Sequence, residues 1–444
     1  MVTIDPWRRM SLVPPSAAMP LQSDSPSRSP LDTLEIDDPW VAALDAFATR
    51  NPRRRERIAE YERLLESKVH LRVGAEVLAS RYHPAPPLEG WLNKLDGRRK
   101  RMFRYAPIDE LLFRVVNRLL QPAAANAASP WCRSFLPGGG ARVAFRSVLT
   151  DVDVAAKAAL RLDVRDYFNS IDVKDLLATL PAPFTDGPVG ALLSASLLDP
   201  RIVRSGVLID GGQKGVMAGT PIAPLLATLY LGDLDREVAE RGAVYARYSD
   251  DILVLAPPAD LPALERLLRG RLAERGLEVN ESKSGIAAPG EPWDFLGFRH
   301  WRGAIGLAPV TERKLKARAT RLARSLLRWR ERTDAPPEHA ARAFLRRTNR
   351  RLYGVRTERA EFSWATWFLP MLHSPDGLQA LDEHLQREAR YAATGKRTGR
   401  ARALVPYRTL VDDGHLPLVA TYWAMHDAAT TYDRLVARRT GLGS

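Results

Sequence analysis

Arg247-Tyr248-Ser249-Asp250-Asp251-Ile252-Leu253-Val254-Leu255 decides how this chain is read. β-prone residues stand on both sides of two adjacent acids, the pattern of a strand, a tight turn and a returning strand. Neighbouring aspartates in an apolar hairpin repel each other and lose hydration, a cost that a bound cation removes. A third acid closes another apolar run: Leu160–Val164 reads as a strand, and Asp163 stands near its end in Leu162-Asp163-Val164-Arg165-Asp166-Tyr167-Phe168. Each acid alone is more often a turn cap or a helix-entry residue. Together they form a candidate set for hard divalent cations, which favour carboxylate oxygens combined with substrate phosphates. Two such ions roughly 3.5–4 Å apart activate an attacking hydroxyl and stabilise a leaving pyrophosphate.

Working outward, residues 91–300 alternate short β-type runs with helical segments. Tyr245–Tyr248 and Ile252–Leu255 read as strands, and Val173–Leu180, Leu225–Ala239 and Leu261–Leu277 as helices. Strands mixed with helices predict an α+β sheet domain. Upstream, residues 1–37 are rich in Pro, Ser and Asp without a period and read as a disordered or loosely attached arm. Residues 38–90 form a helical extension, with apolar spacing over Val41–Ala48 and Ile58–Leu71, a break at Asn51-Pro52 and a boundary at His83–Leu88. Residues 301–444 are nearly all helical. Lys314–Arg330 is a long basic amphipathic stretch, and Pro336-Pro337 separates it from a second helical block. No fixed-period repeat is present.

Charge points to the partner. Across 444 residues, 66 Lys and Arg stand against 52 Asp and Glu, a net of +14. Between Thr311 and Ala360 the count is 16 against 5, so one region carries most of the excess. Charge of one sign at that density repels itself unless a polyanion covers it, which predicts a nucleic-acid partner over a merely solvated helix. One cysteine, Cys132, excludes internal disulfides and a Cys-rich zinc site. No run reaches the ~18 apolar residues of a membrane span and no signal pattern opens the chain, so the expected setting is the cytoplasm, without a membrane partner.

The ordered motifs resemble those of reverse transcriptases. Tyr248-Ser249-Asp250-Asp251 matches the Tyr-x-Asp-Asp box, and Asp163 followed five residues later by Phe168 matches the first palm motif. Between them, Gly219-Thr220-Pro221-Ile222-Ala223-Pro224-Leu225-Leu226-Ala227 is similar to the Gly-x-Pro-x-Ser-Pro-Leu-Leu-Ala segment. Phe295-Leu296-Gly297-Phe298 resembles the primer grip, Gly276–Ser284 the segment before it, Gly97–Gln121 the fingers, and Ser134–Arg142 the loop before the first palm motif. The set covers about half the chain and most resembles bacterial enzymes of the group II intron-like and retron-like lineage, the stand-alone defence-associated ones above all. The resemblance implies a right-handed polymerase: fingers and a palm with an antiparallel sheet over 91–300, then an α-helical thumb and C-terminal helical region.

The resemblance also implies roles. Asp163, Asp250 and the Val164 carbonyl would hold two Mg²⁺ ions (Mn²⁺ is the alternative), with Asp251 a weaker ligand. Phe168 would be the steric gate against a 2′-hydroxyl. Arg101, with Lys100 or Arg99, would hold the incoming triphosphate. Gly219 and Pro221 belong to the nucleotide-contacting segment. Lys283 would protonate the departing pyrophosphate, Phe295–Phe298 would place the primer end, and Lys314, Arg321, Arg324 and Arg328 would contact nucleic acid. The family's glutamine before Gly219 is here Ala218 and its serine is Ala223; Gln213 is the candidate substitute for the former. Trp364, Trp367 and Tyr391 are candidates for base stacking, although core packing is the commoner use. The expected activity is RNA-directed DNA synthesis from deoxynucleoside triphosphates, on a dedicated structured non-coding RNA in antiphage defence. The alternatives are an intron-type maturase acting as an RNA-binding scaffold, and untemplated or protein-primed synthesis.

Overall fold

In the computed structural model, residues 31–93, 97–151, 153–354 and 363–427 are described. In chain order the strands are β1 (Leu88–Asn93), β2 (Arg99–Arg104), β3 (Ala158–Asp163), β4 (Arg201–Arg204), β5 (Val207–Asp210), β6 (Val244–Tyr248), β7 (Asp251–Ala256), β8 (Gly285–Ala287), β9 (Trp293–Phe295), β10 (Phe298–Trp301) and β11 (Ala304–Leu307). They form three sheets, ordered β6-β7-β3-β8, β2-β1-β4-β5 and β11-β10-β9. The first is antiparallel throughout, whereas β1 pairs with β4 in parallel.

The β6-β7-β3-β8 sheet organises the molecule because side chains alternate along a strand. Leu160, Leu162, Ile252 and Val254 belong to one hydrophobic core. Their neighbours Ala159, Leu253 and Leu255, with Ala246, belong to a second. On the first face lie helices Pro107–Ala127, Ala223–Tyr230 and Leu261–Glu274, together with the N-terminal helices Asp38–Arg50 and Arg55–Glu66. On the second face the core is built from β9–β11 and from helices Pro309–Thr333, Pro337–Tyr353 and Leu378–Thr394. Helix Pro107–Ala127 starts with proline, which loses no hydrogen bond there, and carries Asp109 and Glu110 in its first turn.

Some boundaries differ from expectation. The arm expected over 1–37 is not loose at its end: Leu31 and Leu34 are fully buried, and the Leu34 carbonyl accepts a hydrogen bond from Trp40 Nε1 (2.9 Å). Its residues 1–30, and residues 428–444 of the last block, lie outside the described residues. Ile58–Leu71 is split, because Lys68 takes a left-handed backbone (φ 55°) between helices Arg55–Glu66 and Val69–Leu78. Leu225–Ala239 is two helices, Ala223–Tyr230 and Gly232–Ala239, interrupted at Leu231. No helix of the described residues is long and apolar enough to cross a membrane.

Candidate active site

The three acids predicted to meet do meet. In the β3–β7 ladder Asp163 stands directly opposite Asp251, and the Val164 amide donates to the Asp250 carbonyl at 2.9 Å. Asp250 itself occupies the turn of the β6–β7 hairpin with Ser249, whose φ of 59° is rare for a residue bearing a side chain. That turn is braced from below. The fully buried Arg247 pairs with the fully buried Asp235 (2.7 and 2.8 Å) and donates to the carbonyls of Thr228 (2.8 Å) and Ser249 (3.4 Å). Tyr245 donates to the same Asp235 (2.8 Å), and the Ser249 amide donates to Ser134 Oγ.

The carboxylates are held under electrostatic tension. Burial, then repulsion from Asp251 and Asp163, pushes the Asp250 carboxyl above the ordinary range, with Lys100 opposing. Burial also raises Asp251, against the pull of Arg161, whose Nη2 lies 3.1 Å from Asp251 Oδ1. Asp163 has both oxygens engaged by the segment after helix Leu261–Glu274: Asn280 Nδ2 at 2.8 Å and Lys283 Nζ at 2.6 Å. The donor atoms of three His, Cys, Asp or Glu side chains are therefore not converged as a cage among the described residues. The chemistry of the set nevertheless fits hard cations: oxygen-only donors on adjacent strand ends, two of them raised by burial and crowding, for ions that complete their shells with phosphate and water.

Of the basic residues on β2, Lys100 faces this site. Its Nζ lies 5.4 Å above the Phe168 ring, while strand alternation turns Arg99 and Arg101 to the other face. Arg101, expected to hold a triphosphate, has its fork taken up by Glu89 (2.6 Å) and the carbonyls of Gly211 (3.0 Å) and Gln213 (2.9 Å). Phe168 is half-buried and touches Phe135 edge-on (6.2 Å between centroids); Phe135 in turn contacts Tyr248 (5.7 Å). An aromatic chain thus links the short helix Tyr167–Ser170 that follows β3 to the hairpin.

The loop between β5 and helix Ala223–Tyr230 approaches closely. Gly219 (φ 104°) passes β2 so tightly that a Cβ there would lie 2.9 Å from the Phe103 carbonyl oxygen and 2.8 Å from Met102 Cε, which explains the glycine. Pro221 follows it, half-buried. Ala218 is buried, its amide donating to Asn169 Oδ1 (3.3 Å) and its carbonyl accepting from Phe103 (2.7 Å). Gln213 does not substitute for a side chain there, since its Nε2 reaches the Ser170 carbonyl (3.4 Å) in a polar cavity of about 680 Å³ lined by Arg165, Asp166 and Arg275.

The Phe295–Phe298 segment is a two-residue hairpin with Leu296 (φ 51°) and Gly297 (φ 91°) at its turn. Phe295 and Phe298 are fully buried, Phe298 against Phe145 (5.0 Å) and Phe368 (5.1 Å), so both are core residues and only the turn between them is open to a ligand. Gly297 approaches Thr311, whose Oγ1 donates to its carbonyl (2.8 Å). Lys314, Arg321, Arg324 and Arg328 are all exposed on helix Pro309–Thr333. Trp364, Trp367 and Tyr391 are packed against the second core, as the commoner use of such rings predicts.

Sequence reasoning missed Arg247, Asp235, Phe135, Arg161 and Asn280. The buried pair carried no signal beyond ordinary charged letters. Phe135 and Asn280 stood inside quoted motifs, and position within those motifs was the available clue.

The comparisons agree with this geometry. No curated protein matches the chain. The family model for reverse transcriptase (RNA-dependent DNA polymerase) matches residues 96–300, the span that runs from β2 into β10 and contains all three acids. The chain therefore carries a reverse transcriptase domain at residues 96–300, the catalytic domain of an RNA-directed DNA polymerase.

Proposed function

We propose that the chain extends a primer 3′-hydroxyl with deoxynucleotides on an RNA template, with residues 91–300 acting as fingers and palm and residues 301–444 as a basic thumb and C-terminal helical region. The observation that carries this is the register of Asp163 against Asp251 with Asp250 in the adjoining turn. Asp163 and Asp250, with Asp251 beside them, would hold divalent cations of the Mg²⁺ kind, which supply Lewis-acid activation of the hydroxyl and neutralise the departing pyrophosphate. Lys100, over the Phe168 ring, is the cation placed to meet a triphosphate. Phe168 offers a flat face under the sugar, and Lys283 is within reach of Asp163 to give up a proton to the leaving group.

The basic helices support duplex contact through phosphates, which gives affinity without sequence readout. The resemblance to stand-alone defence enzymes supports a cytoplasmic role in antiphage defence on a structured non-coding RNA. A second reading, template-free addition, rests on the buried Ala218, whose methyl group offers no hydrogen bond to a nucleotide; homopolymer made with RNA removed would identify it. Primer extension with Asp250→Asn tests the main reading. Losing several kcal/mol of charge stabilisation predicts a rate at least about a hundredfold lower, with the fold and RNA binding intact. Extension at the wild-type rate would refute the carboxylate assignment.

A further inference from the structure

Helices Pro309–Thr333 and Pro337–Tyr353 fold back on one another across Asp334–Pro336 and leave a groove on their outer side. Trp329 and Arg332 line it from the first helix, and His339, Arg342, Arg346 and Arg347 from the second, around a cavity of about 600 Å³. That volume is in the range that takes one small ligand. Trp329 is half-buried, with part of its ring open to the cavity; the other residues named here, Arg332 through Arg347, are exposed.

The charge in this groove is largely uncompensated. Arg342 pairs with Asp413 (2.9 Å), but Arg332, Arg346 and Arg347 have no carboxylate partner among the described residues. Glu331, Asp334 and Glu338, the acids nearest in sequence, form no ion pair with them there. Positive charge continues along the same pair of helices, where burial and repulsion from Arg351 and Arg321 hold the Arg318 guanidinium below its ordinary value. A surface of this kind wants an anion, and an aromatic wall between cations wants a flat ring. A duplex offers phosphates but keeps its base faces stacked inside. An unpaired nucleotide offers both, which is how sequence-tolerant single-strand sites combine a cationic groove with stacking rings.

We propose that this groove is a second nucleic-acid site, taking an unpaired nucleotide with its base stacked on Trp329 and the flanking phosphates on Arg332, Arg346 and Arg347. It rests on the reading of these helices as a nucleic-acid surface and adds a separate site, because Ser325 and Trp329 stand one residue past Arg324 and Arg328 and so on the neighbouring helical face.

The test uses the full-length protein with labelled single strands of about ten nucleotides, as RNA and as DNA, beside a blunt duplex. Trp329→Ala should weaken single-strand binding about tenfold, the loss expected for one stacked base. Trp329→Phe should retain most of the affinity, and Arg346→Glu with Arg347→Glu should lose more than Trp329→Ala. With either Trp329 variant, duplex affinity and extension of a pre-annealed primer should stay within twofold of wild type. A strand carrying 5-iodouridine should crosslink to the peptide containing Trp329. Tight binding of either sugar supports the site, and the tighter one identifies whether template or product supplies the strand. Unchanged single-strand affinity, an equal loss on duplex, or a Phe variant as weak as the Ala variant would each overturn the proposal. Asp250→Asn should bind the single strand like wild type, so failure of the groove and failure of the polymerase reading give different results.

Discussion

The acidic turn and the basic groove both concentrate charge of one sign, yet they are built in opposite ways. Around Asp163, Asp250 and Asp251 the protein has supplied its own counter-charges, Lys283, Arg161 and Lys100, and has fixed the turn with the buried Arg247–Asp235 pair. Around Trp329 it has supplied little: Arg332, Arg346 and Arg347 stand on exposed helix surface. The difference teaches what each ligand must do. A small, hard ion would need closely placed donors, and the site proposed for it is buried and strutted. A flexible polyanion adapts to its receptor, so its site needs only charge and a ring on a rigid helix.

This contrast can be broken first at the strut. Arg247→Met leaves Asp235 buried and unpaired, and removing one partner of a buried pair costs about 3–5 kcal/mol. Denaturant unfolding should show that loss, with synthesis falling alongside it. A loss under 1 kcal/mol would mean that the turn stands without its brace. A surface change such as Arg346→Ala should by comparison leave stability within about 0.5 kcal/mol.

A second test stays at the acidic end. Phe168→Ala removes the ring that Lys100 covers, and discrimination against ribonucleotides should relax by about tenfold or more, the scale set by a pocket that loses apolar bulk. Unchanged selectivity in competition assays would take the gate role from Phe168. At the basic end, replacing Lys314, Arg321, Arg324 and Arg328 by alanine should flatten the plot of log affinity against log salt by about 3.6, near 0.9 for each duplex phosphate that is no longer neutralised. A slope unaffected by all four changes would move the duplex surface elsewhere.

The smallest effect concerns acid. Burial lowers the pKa of His300, His384 and His415, all in the C-terminal half; for His300 the positive charge of His373 adds to the effect. A histidine that takes up its proton less readily when folded contributes full stability above its ordinary value near 6.5. That contribution falls away as pH drops through the depressed value. Melting temperature should therefore decline as the pH falls below about 6.5, and His300→Phe, which keeps a ring against Trp293, should make the decline shallower. An identical pH profile for that variant would exclude His300 as a contributor.

Much of this was legible in the letters because strands announce themselves by period. Ala158–Leu160 and Ile252–Leu255 alternate between two cores, and Asp163 and Asp251 stand together at one end of the same ladder. Helix Pro309–Thr333 was legible from its spacing, though its ends lie several residues beyond those expected. What was hidden depends on pairing over distance. Arg247 looked like one more cation in a basic chain, and only the fold sets it against Asp235 with both out of water. Arg101 sat in the right motif but on the wrong side of β2, since a shift of one residue along a strand changes the face. Phe295 and Phe298 looked like a contact surface because an apolar hairpin reads the same whether it meets a ligand or its own core.

The central sheet has a further consequence for how the protein can be cut or recombined. Most of the core on its second side comes from residues after β10, so a polypeptide ending there would not be a trimmed enzyme. It would leave Ala159, Ala246, Leu253 and Leu255, on β3 and on the hairpin that carries Asp250, with much of their apolar cover missing. The domain recognised by family likeness and the segment able to stand alone are thus different lengths, and exchange of C-terminal regions between relatives must carry that cover along.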